Sequence, residues 1–561
     1  MKAIQNTNFI EKIIKNDLKN GKYVKIITRF PPEPNGYLHI GHAKSIYLNF
    51  LLAQKYNSQC FLRFDDTNPS NEYKIFMNAI IKDIKWLGFE CINIKYTSEY
   101  FDKFYILAKS LIKKGLAYVC SLTPEEVKEY RGTLTKPGKP SPNRNRKILE
   151  NLDLFRRMKS GEFAEKKYSL RAKIDMSANN INLRDPIIYR IRNIKHPRTG
   201  NKWCIYPMYD FSHPLSDSIE NISHSLCTLE FEDHKPLYNW FIKNCDLKFK
   251  PQQIEFSRLN IDYTLTSKRK LKNIVNKKIV SGWDDPRIST FIALRRRGCP
   301  PKAIRRLYEQ VGISKQDNTI ISSSLFDNTI RYELNKVAPR RMAVINPLKI
   351  IIINYEKIEE TISIPNHPKN PKFGMRNILF TKELYIERSD FQIKNDENFY
   401  GLSIGNLVRL MYAYIIECVK IIHNVNGEIS ELYCKYFPET MKKKNIKNKE
   451  KPTIFLHWVS AKYAILGKIN FYDQLFNIKN PNSCKDIISS LNPNSLKVIK
   501  NAKLEPSLNY AVPESIYQFY RIGYFCADIH HHKPEKKIVF NQTVSLKNRY
   551  IKNLFANIKN L

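Results

Sequence analysis

The sequence predicts an α/β protein that opens on a parallel sheet, carries an insertion and a helical stretch, and closes on β-barrels. Three observations carry this: strand–turn–helix–strand order across residues 23–64, a change of texture near 101–208, and short alternating segments beyond Pro339. "YVKIITRF" (23–30) alternates like a strand, and "PPEPNG" cannot continue it because proline brings no N–H. From Leu38 to Tyr56 the apolar spacing is helical, and "CFLRF" (60–64) is a second strand running into Asp65 and Asp66. Ligands of parallel sheets gather at strand carboxyl ends, where Arg29 and Asp65 fall.

Within 101–208, Thr123, Pro124 and Glu126 of "LTPEEVKEYRG" form a capping box that opens a helix. The basic "TLTKPGKPSPNRNRK" is expected as an exposed loop, and "YSLRAKIDM", "IIYRIRNI" and "WCIYPMYDF" as strands. Residues 260–338 are patterned as helices rich in arginine, in "SGWDDPRISTFIALRRRG" and "PPKAIRRLYEQVG". After Pro339, alternating segments broken by Asn, Pro and Gly favour barrels. "MKKKNIKNKEK" (441–451) and "HHH" (530–532) are expected as solvated loops, the histidines lacking partners at metal-ligand spacing.

A chain of 561 residues exceeds one hydrophobic core, and 42% hydrophobic content excludes a disordered tail. No apolar run approaches the ~18 residues of a membrane span. "MKAIQNTNFIEKIIKNDLKN" reads as an amphipathic helix, without the apolar stretch of a secretory leader. Cysteine occurs 11 times without a CxxC pair, which argues for a reducing cytoplasm and against a zinc knuckle or disulfide framework. The balance of 93 Lys+Arg against 53 Asp+Glu, +40 in all, points to a polyanionic partner; abundant Lys, Asn and Ile also fit an AT-rich coding sequence.

"RFPPEPNGYLHIGHAKS" (29–45) leads into a helix whose first N–H groups lack internal partners, which suits an anion. His39 and His42, three apart, share a helix face, and Gly41 lets a ring or phosphate lie on the backbone. Two imidazoles and free N–H groups suit a phosphate whose charge grows in a transition state. Two surface histidines would read the same way in isolation. "TSKRK" (266–270) supplies a Ser-Lys loop that could carry Lys268 to a leaving pyrophosphate, or be a plain basic loop.

Together, "PPEPNGYLHIGHAKS", "LTSKRK", "LRFDDTNP", "GWDDPR", "YPMYDFSH" and "SLCTLEFEDHK" resemble, in order, the motifs of class I aminoacyl-tRNA synthetases, in the glutaminyl and non-bacterial glutamyl branch. The resemblance spans essentially the whole chain. It implies a Rossmann-type catalytic domain (1–100 and 209–260) split by an acceptor-stem-binding insertion (101–208), then a helical subdomain (261–338) and two anticodon-binding β-barrels (339–561).

The same resemblance implies site residues and partners. ATP, with Mg²⁺, is expected at Glu33, Pro34, Asn35, His39, Ile40, Gly41, His42, Ala43, Lys44, Ser45, Thr228, Arg258, Leu259, Thr266, Ser267 and Lys268. His39, His42 and Lys268 are the catalytic set, and no protein metal site is expected. Arg29, Asp65, Tyr209 and Cys227 are expected at the amino acid. Relatives specific for glutamate carry an arginine where Cys227 stands, and a glutamate carboxylate buried beside a thiol would lose water without gaining a partner. L-glutamine is therefore the expected substrate, activated to its adenylate and passed to the 2′-hydroxyl of tRNA(Gln), with Glu33 or the adenylate phosphate as base. Leu134 matches a wedge that opens the first acceptor pair, Asp233 a base reader, and Ser314, Lys315, Gln316, Asp317, Asn318, Thr319, Ile320 and Ile321 a segment abutting tRNA. Arg409, Gln518 and Arg521 match anticodon readers.

Three departures stand out. Thr266 replaces the usual methionine and is expected to loosen its loop, while Gly401 and Met411 stand where basic readers are expected. A cytoplasmic monomer is expected. The alternatives are a glutamate-specific enzyme of the same branch, a non-catalytic tRNA-binding relative, and a nucleotidyltransferase that would not need the basic C-terminal half.

Overall fold

The computed structural model describes residues 8–69, 73–91, 93–315, 320–393, 399–441 and 454–546. Its contacts form two compact units, Met1–Ile261 with Arg305–Ile321, and Asp262–Ile304 with Ser322–Leu561. The stretch 261–338, expected as one helical subdomain, is thus divided between them.

The first unit begins with helix α1 (Phe9–Lys19), whose N-cap Asn8 accepts from the Glu11 N–H. Strand β1 (Thr28–Phe30), helix α2 (Ile40–Lys55), strand β2 (Cys60–Phe64), helix α3 (Tyr73–Trp86) and strand β3 (Ile94–Tyr96) follow. Strand β1 is shorter than its pattern predicts. The Ile27 N–H donates to the Ser223 hydroxyl at 2.9 Å instead of a neighbouring strand, and the Tyr23 ring packs on His224 and Phe249.

The insertion comprises α4 (Phe101–Lys113), β4 (Ala117–Cys120), α5 (Pro124–Arg131), α6 (Ile148–Ser160), β5 (Ser169–Ala172), β6 (Ile187–Ile191) and β7 (Ile205–Pro207). Its strands form one antiparallel sheet in the order β4-β5-β6-β7, and Thr123 and Glu126 make the expected capping box for α5. "WCIYPMYDF" is a strand only to Pro207: Tyr209 begins helix α7 (Tyr209–Ile219). Phe104, Phe155, Tyr189, Phe211 and Phe241 share one core beneath this sheet and its helices.

The chain then returns to the parallel sheet through β8 (His224–Thr228), α8 (Lys235–Asn244) and β9 (Gln252–Phe256). Strands β1, β2 and β3 are parallel neighbours, as are β8 and β9, and a bond from Ser223 N–H to Ile27 O brings β8 beside β1. Alternation sorts the two faces. Ile26, Leu226, Ile254 and Phe256 bury with Ile10, Leu48 and Leu52 of α1 and α2. The opposite face carries Arg29, Arg63, Ser225, Cys227, Gln253 and Glu255, all buried. Charges on a covered parallel sheet are costly unless fully paired, so this face is where function is sought.

In the second unit, helices cover Lys268–Asn276, Phe291–Arg297 and Ser323–Val337. Two seven-stranded sheets follow. The chain touches one through 340–341 and 343–344, leaves to build the other from strands between Pro347 and Ser460, then completes the first between Ile465 and Ser545. Each sheet has its own core, around Trp458 and Phe380 in one and Phe525 and Phe540 in the other. The charged segment predicted at 441–451 lies outside the described residues beyond Met441.

The histidine run is not the uniformly solvated loop expected. His532 is buried, donating from Nε2 to the Ala511 carbonyl and accepting the Val539 N–H at Nδ1, while His530 and His531 stay exposed against Asp284 and Asp528. Arg296 explains this, because its buried guanidinium meets Asp528 at 3.0 Å and Asp284 at 3.2 Å. Burial alone would raise the Asp528 carboxyl, but the Asn541 amide and the Arg296 guanidinium outweigh it and hold it well below the usual carboxylate range. Its stabilising contribution is therefore present above the unfolded value of ~3.9 and lost as pH falls through the folded one. Asp528→Asn should destabilise the chain by roughly 2 kcal/mol at neutral pH, because Arg296 keeps only the less buried Asp284 as counter-charge. Denaturant unfolding checks this, and the gap from wild type should close as pH falls below about 4.

Candidate active site

The site grows from strand ends. The turn "PPEPN" leaves β1, and its Pro32 carbonyl accepts from the Asp65 N–H at 3.1 Å, seating it against the end of β2. His39 is the N-cap of α2. The Gly41 N–H donates to His39 Nδ1 (3.2 Å), and the His39 N–H donates to His42 Nδ1 (3.1 Å), with the ring centroids 3.9 Å apart. A neutral imidazole that accepts at Nδ1 carries its proton on Nε2. The helix start thus sets both histidines as Nε2–H donors, which is what a phosphate oxygen requires.

The lower wall is a buried charge node. Asp217 Oδ1 accepts from Arg29 Nε (3.2 Å) and Arg63 (2.7 Å), and Oδ2 from the Ser225 and Tyr238 hydroxyls (2.6 and 3.1 Å). Arg63 also pairs with Glu220 at 2.8 Å, and Arg29 donates to the Leu226 carbonyl and the Ser225 hydroxyl at 2.7 and 2.6 Å. Two guanidinium groups thus face two carboxylates. Burial pushes the His213 imidazole down to about 3, with both arginines adding to this against Asp217, so the ring between them is neutral. For Asp217, burial is outweighed by Arg29, His213 and Arg63, and the group stays ionised far into acid.

The structure brings the four residues expected at the amino acid to this wall. Tyr209 lies flat on His213, with centroids 5.0 Å apart and planes 12° apart, and against Phe231. Burial lifts its hydroxyl well above the usual tyrosine range, and Arg29, Cys227, Asp65 and Asp217 all act on it electrostatically. Burial lifts the Cys227 thiol to about 12, so it is a neutral wall. Asp65 accepts from the Thr67 N–H and hydroxyl, and burial raises its carboxyl. Arg29 lies under the site, charge-matched by Asp217, instead of projecting into open space.

Of the expected ATP residues, Thr228 donates to Glu230, which pairs with Arg258, and Leu259 is buried. Lys44 turns inward: its ammonium donates to the Ser257 hydroxyl at 2.8 Å, and Ser257 bonds Ser314. Thr266 and Lys268 belong to the second unit. There the Thr266 N–H and hydroxyl and the Ser267 N–H all donate to Asn482 Oδ1 (3.0–3.2 Å), and Lys268 opens its helix. The threonine expected to loosen this loop instead adds a donor to it.

The tRNA set is scattered. Leu134 stands 81% exposed, Asp233 is exposed, and Lys315 lies over the Phe9 ring. Ile320 and Ile321 pair with Asn260 and Ile261; Gln316, Asp317, Asn318 and Thr319 lie outside the described residues. In the second unit, Arg521 forms a two-pronged pair with Asp390, Arg409 donates to the Ala413 and Thr440 carbonyls, and Gln518 lies on the strand Ile516–Phe519. Gly401 has a steric cause. A Cβ there would sit 2.5 Å from the Asp390 carbonyl, so no basic side chain fits.

Sequence reasoning missed Asp217, His213, Arg63, Gln253 and Glu255. The signal existed: Tyr209, His213 and Asp217 recur every fourth residue, one helix face, but the strand pattern of "WCIYPMYDF" runs on through Phe211 and masks the helix start.

Comparison with known proteins decides the family. Residues 25–336 match the model described as tRNA synthetases class I (E and Q), catalytic domain, and residues 338–437 and 455–528 match its two anti-codon binding domain models. The chain belongs to the class I tRNA synthetases of the E and Q group. Among curated relatives of this E and Q group, the glutamine–tRNA ligase of Yersinia enterocolitica is 50% identical over 545 residues, covering 97% of this chain and 98% of its own. That of Serratia proteamaculans is 50% identical over 547 residues, with the same coverage.

Burial lowers the Lys44 ammonium to about 8. Its charge therefore weakens the fold at neutral pH, and the penalty fades as pH rises through 8 towards the unfolded value of ~10.4. Lys44→Met should raise the unfolding free energy at pH 7 by about 1–2 kcal/mol, allowing for residual solvent screening, and lose that advantage between pH 8 and 10.5. An advantage independent of pH would contradict this.

Proposed function

We propose that the chain is a glutamine-tRNA ligase that activates L-glutamine with ATP and esterifies tRNA(Gln). The observation that carries the substrate is the neutral pocket wall. Cys227 and Tyr209 stand over a node whose cations are matched by Asp217 and Glu220, leaving no excess positive charge for a second carboxylate. A glutamine amide can both donate to and accept from the Tyr209 hydroxyl. The names of the curated relatives support the same reading.

The catalytic domain is read as Rossmann-type, its parallel strands offering their carboxyl ends to ATP and amino acid. Asp65 holds the α-ammonium, whose arrival offsets the burial that raises its carboxyl. The glutamine carboxylate attacks the α-phosphorus of ATP; that P–O bond forms, the bond to the β-phosphate breaks, and pyrophosphate leaves. His39 and His42 donate from Nε2 to the phosphate as its charge grows. Lys268 is assigned the leaving pyrophosphate on its Ser-Lys motif. Mg²⁺ is read as arriving on the nucleotide phosphates. The terminal 2′-hydroxyl of tRNA then attacks the carbonyl carbon and AMP departs.

Charging of tRNA bearing a glutamine anticodon, with ATP and Mg²⁺, tests this. Glutamine should be esterified and glutamate not, and His39→Asn and His42→Asn should each slow charging by roughly 10²–10³-fold. Charging with glutamate would overturn the substrate, and tRNA binding without charging would favour the non-catalytic alternative.

A further inference from the structure

Leu134 projects from a short loop, Gly132–Gly138, that follows α5, and the apolar side chain is 81% exposed. An exposed leucine held on a flexible loop would pay its ordering entropy on each encounter with RNA. This loop is not left to order itself. The Thr133 N–H donates to the Lys136 carbonyl at 3.1 Å, the Thr133 hydroxyl accepts from the Thr135 and Lys136 N–H groups, and the Gly138 N–H donates to the Met176 carbonyl. Gly132 sits at φ +74°, and a Cβ on it would meet the Lys136 and Pro137 carbonyl oxygens at 2.6 Å.

At the centre of the loop lies one side chain. Arg184, 3% exposed, donates from NH1 to the carbonyls of Arg131 (3.0 Å), Thr133 (2.8 Å) and Lys136 (2.8 Å), and from Nε to that of Ala178 (2.7 Å). Among the described residues no carboxylate is in ion-pair contact with it, and the adjacent Asp185 is already paired with Arg144 and accepts from Tyr118. Burying a guanidinium with only carbonyl partners is costly, yet its planar head lets Nε anchor on Ala178 while Nη1 is fixed among three carbonyls of one turn. The carbonyls it gathers flank Leu134 on both sides.

We infer that Arg184 is a positioning residue for acceptor-stem opening: it holds the Leu134 loop in its wedge conformation before tRNA arrives. This rests on the glutamine-tRNA ligase reading and on Leu134 entering the first acceptor pair. Lysine keeps the charge but has one donor nitrogen where Arg184 uses two, so it cannot hold Ala178 and the Leu134 turn together.

The test compares charging kinetics on two tRNA(Gln) transcripts, one with a paired first acceptor position and one with a mismatch there. Arg184→Lys, Leu134→Ala and the double variant are measured beside wild type, with thermal unfolding of each. Arg184→Lys should lower kcat/KM on the paired transcript by about tenfold, short of the ~10²-fold that a 1 Å misplacement can cost, and by less than about twofold on the mismatched one. Leu134→Ala should show the same selectivity, and adding Arg184→Lys to it should cost little more, because both act through one wedge. Equal losses on both transcripts, or additive losses in the double variant, would overturn the role. If Arg184→Lys unfolds, Gly132→Ala perturbs the same loop and must give the same selectivity. A wild-type chain that charges neither transcript would instead sink the ligase reading, and this role with it.

Discussion

Asp217 is the point on which the catalytic unit turns. Its two oxygens accept from Arg29 on β1, Arg63 on β2, Ser225 on β8 and Tyr238 on α8, so one carboxylate ties three strands and two helices together. Removing it would strip the buried Arg29 of its carboxylate and leave Arg63 with Glu220 alone, a loss of several kcal/mol. The other contacts of this face follow from that constraint. His213 is neutral because it is buried, with the two arginines adding to this, and Tyr209 stacks flat on its ring.

The same constraint gives the pocket its electrical character. A sheet face with arginines could have become an anion site, as its neighbour at the start of α2 is. Here each cation is matched before substrate arrives, by Asp217 and by Glu220. Beside the node stand a thiol and a phenol, Cys227 and Tyr209, both kept protonated by burial. The proposed anion site is the helix start, where His39 and His42 have their tautomers set by backbone N–H groups. On this reading one unit holds a site for phosphate beside a site for a neutral amide.

Much of this was legible in the sequence, and the failures have physical causes. The strand, proline turn and helix around His39 were readable because proline and the apolar period act locally. The α5 capping box was readable for the same reason. Strand β1 came out short because a side chain, Ser223, took an N–H that local pattern assigned to a neighbour. The Tyr209–His213–Asp217 face was hidden because Tyr209 follows a strand with no loop between, so alternation ran on into a helix. Arg29 and Arg63 were visible as charges within apolar strands, but their partners lie over 150 positions away and no local rule connects them. Gly401 looked like a lost RNA contact until the Asp390 carbonyl beside it was seen.

In the proposed reading, charge balance at the Asp217 node, with an uncharged wall at Cys227, selects the amide over the acid. Cys227→Arg tests it most directly, by adding one unmatched cation to that wall. The measurement is kcat/KM for charging with glutamine and with glutamate, in variant and wild type. The account predicts that the ratio moves towards glutamate by roughly tenfold or more, since each ~1.4 kcal/mol of differential binding is a factor of ten. An unchanged ratio, with both substrates slowed alike, would contradict it.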